Sequence, residues 1–285
     1  MYRILKTRQL TPVTRLYVVD APLVARSARP GQFIILRVAD HGERIPVTIT
    51  DFDPAAGTVT IVVQEVGKTT RWLAQLNEGD FIRDFAGPLG QPVPLPEKGR
   101  VALVGGGFGT AAILTIAKAL KEVPGVHTDA IVGARNKDLL ILTEEVGAAV
   151  DGFYPCTDDG SEGFKGFVTT MLQQKIIAGE GYELVIAIGP MPMMRAVAEV
   201  TRPFGIYTLA SMDPIMLDGT GMCGACRVRV GSDTKFACVD GPCFDAHKVD
   251  FDEVSRRTKM YMSEERVAME RYTQECQCAK ASAAR

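Results

Sequence analysis

The chain of 285 residues is 46% hydrophobic and 23% charged, which is typical of folded globular proteins and excludes a disordered chain. Its length predicts two domains and leaves room for a small appendage. The 32 lysines and arginines nearly balance the 34 aspartates and glutamates, so the chain lacks the positive surplus that predicts general nucleic-acid binding.

Cysteine usage and the first residues predict a reducing compartment. Seven cysteines are too few for a disulfide scaffold, and their number is odd. The first residues also lack the apolar run of a secretory signal peptide. We therefore expect a cytoplasmic protein whose clustered cysteines bind a metal or do redox chemistry. The longest uncharged stretch, residues 101–117, is too short in its helical part to span a bilayer, so no membrane association is expected.

Residues 1–97 have the pattern of an all-β region. Short β-branched runs alternate with turn signals, and these runs lie at residues 15–19, 32–38, 47–50 and 58–63. One helix is expected near residues 70–76. Short strands at this spacing predict a small antiparallel β-barrel, followed by a stiff proline-rich linker.

Residues 98–212 have an α/β pattern. Buried strands are predicted at residues 101–104, 128–132 and 184–188, and helices at residues 110–122 and 166–177. This alternation predicts a doubly wound parallel sheet.

Two short segments complete the chain. Residues 213–248 are rich in cysteine and glycine and cannot bury a core of their own, so this third domain needs a metal centre or a neighbour. Residues 249–285 are charged and helical in pattern, with scattered apolar positions that predict contact with another subunit. A tail folded over its own domain is the alternative.

Three cysteines and one aspartate carry the strongest chemical signal. Cys223, Cys226 and Cys238 form a C-x2-C-x11-C pattern, and Asp218 precedes the first of them with four residues between. Plant-type [2Fe–2S] proteins use C-x4-C-x2-C followed by a distant cysteine. The same frame here has Asp218 in the place of the first cysteine, which predicts a [2Fe–2S] cluster with these four ligands.

Other hypotheses remain open for the cysteines. A structural zinc site would use Cys243 together with the three cysteines of the motif, and Cys243 is also the alternative to Asp218 as the fourth ligand of an iron–sulfur cluster. Zinc needs no aspartate at this offset, so the iron–sulfur interpretation is favoured. Elsewhere, Cys156 is expected to be a small buried apolar residue. The C-x-C pair Cys276 and Cys278 is expected to be incidental.

A glycine-rich turn follows the first strand of the α/β region and opens a helix. Such a turn lets a pyrophosphate approach the helix N-terminus. It is not a full G-x-G-x-x-G, because Thr110 holds the third position, so a merely tight turn is the alternative. Arg135, after the next strand, suits a 2′-phosphate or is a solvated loop residue.

Two motifs in the barrel region suit a phosphorylated cofactor. Arg44 suits a flavin phosphate and the Thr48 hydroxyl suits the edge of a flavin ring. A second possible phosphate site comprises Gly67, Lys68, Thr69 and Thr70. The alternatives are a solvated charge at Arg44 and an ordinary helix cap in the second motif.

The order of these motifs along the chain resembles that of the ferredoxin-reductase-like flavoprotein family, in its branch with a C-terminal [2Fe–2S] domain. That branch includes the electron-transfer subunit of dihydroorotate dehydrogenase B. The aspartate in the cysteine motif and the long tail are most similar to the small subunits of NADH-dependent reduced ferredoxin:NADP oxidoreductases. The matching stretches are Arg44-x-Pro46-x-Thr48, Gly67-Lys68-Thr69-Thr70, Gly87-Pro88-Leu89-Gly90, residues 105–110, residues 157–161, residues 189–194 and the cysteine cluster.

The resemblance implies two nucleotide sites. FAD would lie in the barrel against Arg44, Pro46, Val47 and Thr48, with its diphosphate at Gly67, Lys68, Thr69 and Thr70. NAD(H) would lie against Gly105, Gly106, Gly107, Phe108, Gly109, Thr110, Asp158, Asp159, Gly189, Pro190 and Met191.

An NAD(H) site, a flavin and a one-electron cluster predict an oxidoreductase subunit for electron transfer, with the flavin between the other two groups. No catalytic side chain is expected, since the three histidines are scattered. The resemblance implies a larger partner subunit with flavin and iron–sulfur clusters, which handles ferredoxin and NADP(H) in an electron-bifurcating transhydrogenase. The runner-up is the electron-transfer subunit of an NAD-dependent dihydroorotate dehydrogenase. A zinc-stabilised scaffold with a vestigial flavin fold is the alternative from another class.

Overall fold

The computed structural model describes residues 1–283, with side chains through residue 274. The side chains of Cys276 and Cys278 lie outside this description, so the prediction for them stays a prediction. Within the described part of the chain, no helix is both long and apolar enough to cross a bilayer.

The first part of the chain is an antiparallel sheet that curls into a nearly closed barrel, which confirms the predicted fold class. Its strands are β1 (Tyr2–Thr11), β2 (Thr14–Asp20), β3 (Phe33–Arg37), β4 (Arg44–Asp53), β5 (Thr58–Gln64), β6 (Phe81–Ile82) and β7 (Asp84–Leu89). They lie in the order β6-β1-β2-β5-β4-β3-β7. Two short helices, α1 (Pro22–Ser27) and α2 (Lys68–Leu73), interrupt them. Side chains such as Ile34, Ile61 and Phe85 fill the core.

The search for β-branched runs does not find β1, because charged residues interrupt this strand. Arg3, Lys6 and Arg8 are exposed, whereas Ile4 is fully buried in the barrel core. An edge-side strand with one solvated face can carry such charges, and its inward positions alone contribute to the core. The linker at residues 92–96 also packs onto the barrel, since the Val93 amide donates to Pro30 O at 3.0 Å.

The second part is a parallel sheet with helices on both faces, as predicted. Its strands are β8 (Gly99–Gly106), β9 (Val126–Ala134), β10 (Gly152–Thr157), β11 (Phe164–Lys165), β12 (Leu184–Ile188) and β13 (Tyr207–Ser211). They lie in the order β11-β10-β9-β8-β12-β13. The helices are α3 (Gly109–Lys121), α4 (Thr143–Ala148), α5 (Val168–Ile177) and α6 (Met191–Thr201), with 3-10 turns at Lys137–Leu139 and Arg202–Phe204.

The side-chain alternation of β8 explains the two covered faces. Val101 and Leu103 pack in one buried cluster with the apolar residues of α3 and α4. Ala102 and Val104 point the other way and pack with α5 and α6. A strand that is buried on both faces reads as a continuous apolar run, which is why sequence patterning locates it well.

The cysteine-rich segment has no core of its own and uses that of the parallel sheet. It contains the hairpin β14 (Arg227–Val230) and β15 (Asp233–Phe236), followed by β16 (Cys243–Asp245). β16 pairs antiparallel with β13 and becomes the outer strand of the sheet. Val228 and Ala237 are buried in the same cluster as α5 and α6.

The tail forms α7 (Phe251–Thr258) and α8 (Met262–Ala283). Asp250 caps α7 by accepting the Glu253 amide at 2.8 Å, and Val254 of α7 is fully buried against the α/β region. α8 lies beside α2 of the barrel, where Gln75 Nε2 donates to the Tyr272 hydroxyl at 2.5 Å. Both helices thus contact their own chain, and the predicted subunit contact of residues 249–285 stays a prediction.

Candidate functional site

A cleft of about 1980 Å³ lies where the barrel meets the carboxyl ends of the parallel strands, with α8 over part of it. Open α/β sheets bind ligands at this edge. The predicted residues that line the cleft are Arg44, Pro46, Val47, Thr48, Gly67, Lys68, Thr69, Thr70, Gly106, Gly107, Phe108, Gly109, Asp158, Gly189 and Pro190. Four others, Gly105, Thr110, Asp159 and Met191, do not line the cleft that the described residues form.

Strand β4 forms the barrel side of the cleft. Arg44, Pro46 and Thr48 alternate along it and are exposed or half-buried, whereas the Val47 side chain points into the barrel core. The strand beside β4 is β3, in which Phe33 pairs with Thr48. Phe33 also lines the cleft, although no sequence motif indicates it.

The start of α2 forms the next part of the wall. Thr70 acts as a cap, because its hydroxyl accepts the Gly67 amide at 2.9 Å. Thr69 and Lys68 instead reach across to one carboxylate. The Thr69 hydroxyl donates to Glu43 Oε2 at 2.6 Å, and Lys68 Nζ lies 3.6 Å from Glu43 Oε1. These two side chains therefore already hold an anionic group at the predicted diphosphate position.

The glycine turn forms the floor on the α/β side. A Cβ at Gly109 would lie 1.9 Å from Ile188 O, so glycine is needed there for packing of the turn against β12. Gly107 differs, because it has φ +53° and no atom would lie within 4 Å of its Cβ. Its amide donates to Gly133 O at 2.7 Å, which fixes the turn against β9. The open space at Gly107 is the kind of cradle that a phosphate approaches closely.

The loops after β10 and β12 line the same edge. Asp158 faces the cleft, whereas the Asp159 carboxylate accepts both the amide and the hydroxyl of Ser161, at 2.9 and 2.6 Å. Those hydrogen bonds from Ser161 lower the pKa of Asp159. After β12, Met191 packs against the buried core and Met193 lines the cleft in its place.

The cysteine segment brings its donors into one neighbourhood. Cys226 Sγ and Cys238 Sγ are 3.2 Å apart and buried. Asp218 accepts the Thr220 and Cys223 amides at 2.9 Å each, and the backbone hydrogen bond from Thr220 is the main cause of its lowered pKa. Burial, contact with Cys226 and the Asp218 charge all raise the pKa of the Cys238 thiol.

These donors fit an iron–sulfur cluster in chemistry. Thiolates are the usual ligands of such clusters, and the ionised carboxylate of Asp218 is a possible oxygen ligand. Among the residues with described side chains, no three such donors converge on one ready-made point. Cys243 lies apart, because it packs against the α3 side of the sheet, whereas Cys226 and Cys238 belong to the core on the opposite face.

The cysteine loop packs directly on the barrel. A Cβ at Gly219 would lie 2.6 Å from Leu89 Cδ1 and 2.9 Å from Ile35 Cδ1. Ile35 of β3 pairs with Pro46 of β4, the strand that lines the cleft. The loop between Asp218 and Cys223 is thus separated from the barrel wall of the cleft by a single strand.

Two groups of cleft residues have no motif in the sequence. Asp213 and its neighbours line the cleft between β13 and the cysteine loop. A carboxylate just after a buried strand is the sequence feature that could have indicated Asp213. Tyr261, Arg266 and Met269 of the tail also line the cleft. Their position depends on where α8 packs, which periodicity does not report.

Comparison with known proteins identifies relatives over most of the chain. Residues 213–250 match the iron–sulfur cluster binding domain of dihydroorotate dehydrogenase B. A Thermotoga maritima homolog of the dihydroorotate dehydrogenase B (NAD(+)) electron transfer subunit is 45% identical over 254 residues, 89% of each chain. The Geobacillus thermodenitrificans electron transfer subunit of that enzyme is 34% identical and covers 86% of this chain and 96% of its own. A chain in the solved structure of an NADH-dependent reduced ferredoxin-NADP oxidoreductase is 42% identical, with a TM-score of 0.90 over 96% of this chain and 98% of its own.

Proposed function

The chain belongs to the family of dihydroorotate dehydrogenase B electron-transfer subunits, and from this premise we propose that it carries electrons between NAD(H), FAD and a [2Fe–2S] cluster to a larger partner subunit. The observation that carries the proposal is the packing of the cysteine loop against β3 and β7, the strands beside the cleft. This contact supports a direct route from a flavin in the cleft to the cluster.

FAD is proposed to occupy the barrel side of the cleft. Arg44 would bind its phosphate, Thr48 would face the ring, and Lys68 with Thr69 would exchange Glu43 for the diphosphate. When bound, flavin exchanges a hydride with a nicotinamide and single electrons with a one-electron acceptor. The two roles explain why one chain holds both a dinucleotide turn and a cluster segment.

NAD(H) is proposed to occupy the α/β side of the same cleft, with Gly107 at the pyrophosphate and Asp158 and Pro190 along the dinucleotide. The cleft of about 1980 Å³ exceeds the roughly 300–1,000 Å³ of an ordinary small-molecule site. This size supports two dinucleotides side by side.

The cluster is proposed to have Asp218, Cys223, Cys226 and Cys238 as ligands. Three large apolar side chains, Leu217, Met222 and Val239, are exposed around the loop. An apolar rim beside a redox centre suits a protein acceptor. The partner would be a larger flavin and iron–sulfur subunit in the cytoplasm.

Within the family, we favour an electron-bifurcating ferredoxin:NADP transhydrogenase, in which ferredoxin and NADP(H) react at the partner. Support for this choice comes from Asp218 in the cysteine motif and from the solved NADH-dependent reduced ferredoxin-NADP oxidoreductase, which is similar over 96% of this chain. The test is to isolate the native complex and assay it. We expect reduced ferredoxin and NADH together to reduce NADP, whereas NAD reduction by dihydroorotate would establish the alternative.

A matched pair of glycine variants tests the nucleotide site. Gly107 and Gly205 both have positive φ, +53° and +65°, and both have open space at Cβ, but Gly205 does not line the described cleft. An alanine at either position costs about 1–2 kcal/mol of backbone strain. The Cβ of Gly107→Ala would also occupy the space that the phosphate approaches. A phosphate displaced from one charge-assisted hydrogen bond of about 1.5–3 kcal/mol would raise the NADH concentration for half-maximal flavin reduction roughly 10- to 100-fold.

Flavin and iron contents are measured in both variants. They should equal those of the wild-type protein, and Gly205→Ala should keep the wild-type response to NADH. An equal response of the two variants would mean that the turn has only a structural role.

A further inference from the structure

The proposed function leaves one proton without a carrier. A hydride brings two electrons and one proton to the flavin, whereas the cluster accepts electrons one at a time and no proton. For each hydride that enters, one proton must therefore leave the ring nitrogen N5 as the electrons depart. A titratable group on the floor of the cleft would provide its path, and the inference below rests on the proposed function.

Asp213 is placed for this role by the fold. It follows β13, which lies beside β12, so Asp213 comes near the Gly189-Pro190 turn at the end of β12. It also begins the segment that leads to Asp218. The Asp213 side chain lines the cleft and remains accessible from it.

A short series of contacts connects this position to the barrel face of the flavin site. The Met212 amide donates to Pro242 O at 2.8 Å. A Cβ at Gly90 would lie 3.0 Å from Pro242 Cδ and 2.9 Å from Phe33 Cε1. Phe33 pairs with Thr48, the residue expected at the flavin ring. Asp213, the next residue after Met212, therefore lies near the point where the cysteine segment, the parallel sheet and β3 meet, and it lines the cleft there.

The other carboxylates of the described cleft lie away from the expected ring position. Glu43 lies beside Thr69 and Lys68, at the proposed diphosphate position. Asp158 lies at the end of β10, two strands beyond β8. The remaining ones, Glu264, Glu265 and Glu270, are on α8. No histidine lines the cleft in the described structure.

We propose that Asp213 is the proton acceptor of the flavin site. As electrons pass to the cluster, the N5–H bond breaks, an O–H bond forms on the Asp213 carboxylate, and the proton then passes to water in the cleft. In the opposite direction, protonated Asp213 returns the proton to N5. Asp213 gains and loses no electrons in either direction.

The surroundings of Asp213 suit proton exchange near neutral pH. Surrounding protein atoms limit the hydration of Asp213 and raise its pKa to about 6, although the side chain is exposed within the cleft. No charged side chain among the described residues contributes to it. A carboxyl in this range can both accept and release a proton in the cell, as general acid–base catalysis requires.

The test compares Asp213→Asn and Asp213→Glu in the FAD- and cluster-loaded chain. Asp233→Asn, an exposed carboxylate on β15 in the same segment, is the matched control. Stopped-flow absorbance separates reduction of the flavin by NADH from its reoxidation by a one-electron acceptor. We expect Asp213→Asn to keep the first rate and to slow reoxidation on the order of 10²-fold, with recovery in Asp213→Glu.

A second measurement is independent of turnover. Infrared difference spectra of the loaded protein should show one carboxyl that titrates near pH 6 in the wild type and the control but not in Asp213→Asn. Unchanged reoxidation in Asp213→Asn, persistence of that titration, or loss of bound flavin in Asp213→Asn would each overturn the proton role. If the wild-type chain itself took no electrons from NADH, the proposed function would fail instead.

Discussion

Asp218 places one oxygen donor among three sulfur donors at the proposed cluster. A carboxylate is a harder ligand than a thiolate, so its bond to iron is less covalent and exchanges more readily. Asp218→Ala should open one iron position and make the cluster labile. Asp218→Cys should restore a four-thiolate cluster of the plant type, with a lower reduction potential because thiolates donate more electron density.

Electron paramagnetic resonance of the reduced cluster, with a potential titration, checks these expectations. Cys243→Ala is the control, because Cys243 packs on the other face of the sheet from Cys226. We expect it to retain the wild-type signal. If Cys243→Ala lost the signal and Asp218→Ala kept it, Cys243 would be the fourth ligand.

At the scale of single residues, sequence spacing indicates the cysteine motif and the glycine turn but misses Asp213, and the reason is physical. The C-x2-C-x11-C motif and the glycine turn are local, because their residues must lie close along the chain to wrap a cluster or a phosphate. Asp213 has no such local partner. Its place on the cleft depends on the position of β13 beside β12, which only the tertiary structure shows.

Helix α7 acts on the cysteine loop through one side chain. Arg257 Nη2 donates to Ala225 O at 2.9 Å, between Cys223 and Cys226 in the sequence, and the Asp250 cap and buried Val254 hold the helix in place. Removal of this hydrogen bond should cost about 1–2 kcal/mol, since the guanidinium is only partly buried. Arg257→Met should therefore loosen the loop, while the alkyl part of the side chain still packs.

Loss of the visible cluster absorbance in a chelator measures this effect. Arg257→Met should lose its cluster several times faster than the wild type and keep its flavin, because the barrel does not contact Arg257 through any described hydrogen bond. The neighbouring Arg256 is exposed, so Arg256→Met serves as the control. Equal cluster lifetimes in the two variants would show that α7 does not restrain the loop.

Elements buried on both faces are predicted well from sequence, and elements with one solvated face are not. β12 is predicted at its observed bounds, because all its residues are buried. β1 is missed because its exposed face is charged, and α8 is predicted as a helix without its location. Its weak apolar stripe does not specify a packing partner, which only its contact with α2 defines.

In the whole molecule, the order of the flavin, nucleotide and cysteine regions along the chain matches the proposed order of electron transfer only partly. The flavin region precedes the nucleotide region in sequence, yet both form a single cleft, and the cysteine segment returns to touch the first of them. The order of the motifs and the local composition predict that the chain has a barrel, an α/β region and a cysteine segment. The contacts among the parts, such as Gly219 against Leu89, depend on long-range packing that no local pattern encodes.

The three residues of β16 cover the edge of β13 and thereby protect newly made chains from pairing with one another through this edge. An uncovered strand edge offers unpaired amides and carbonyls to other chains. β16 begins five positions after Cys238, so its pairing with β13 depends on how firmly the cysteine segment is held. In a chain without iron, the pairing with β13, the buried Phe244, the hairpin and α7 would still hold this cover, but the cysteine loop before it would be less restrained. Such a chain should expose the edge of β13 more often than a loaded chain and should self-associate more readily.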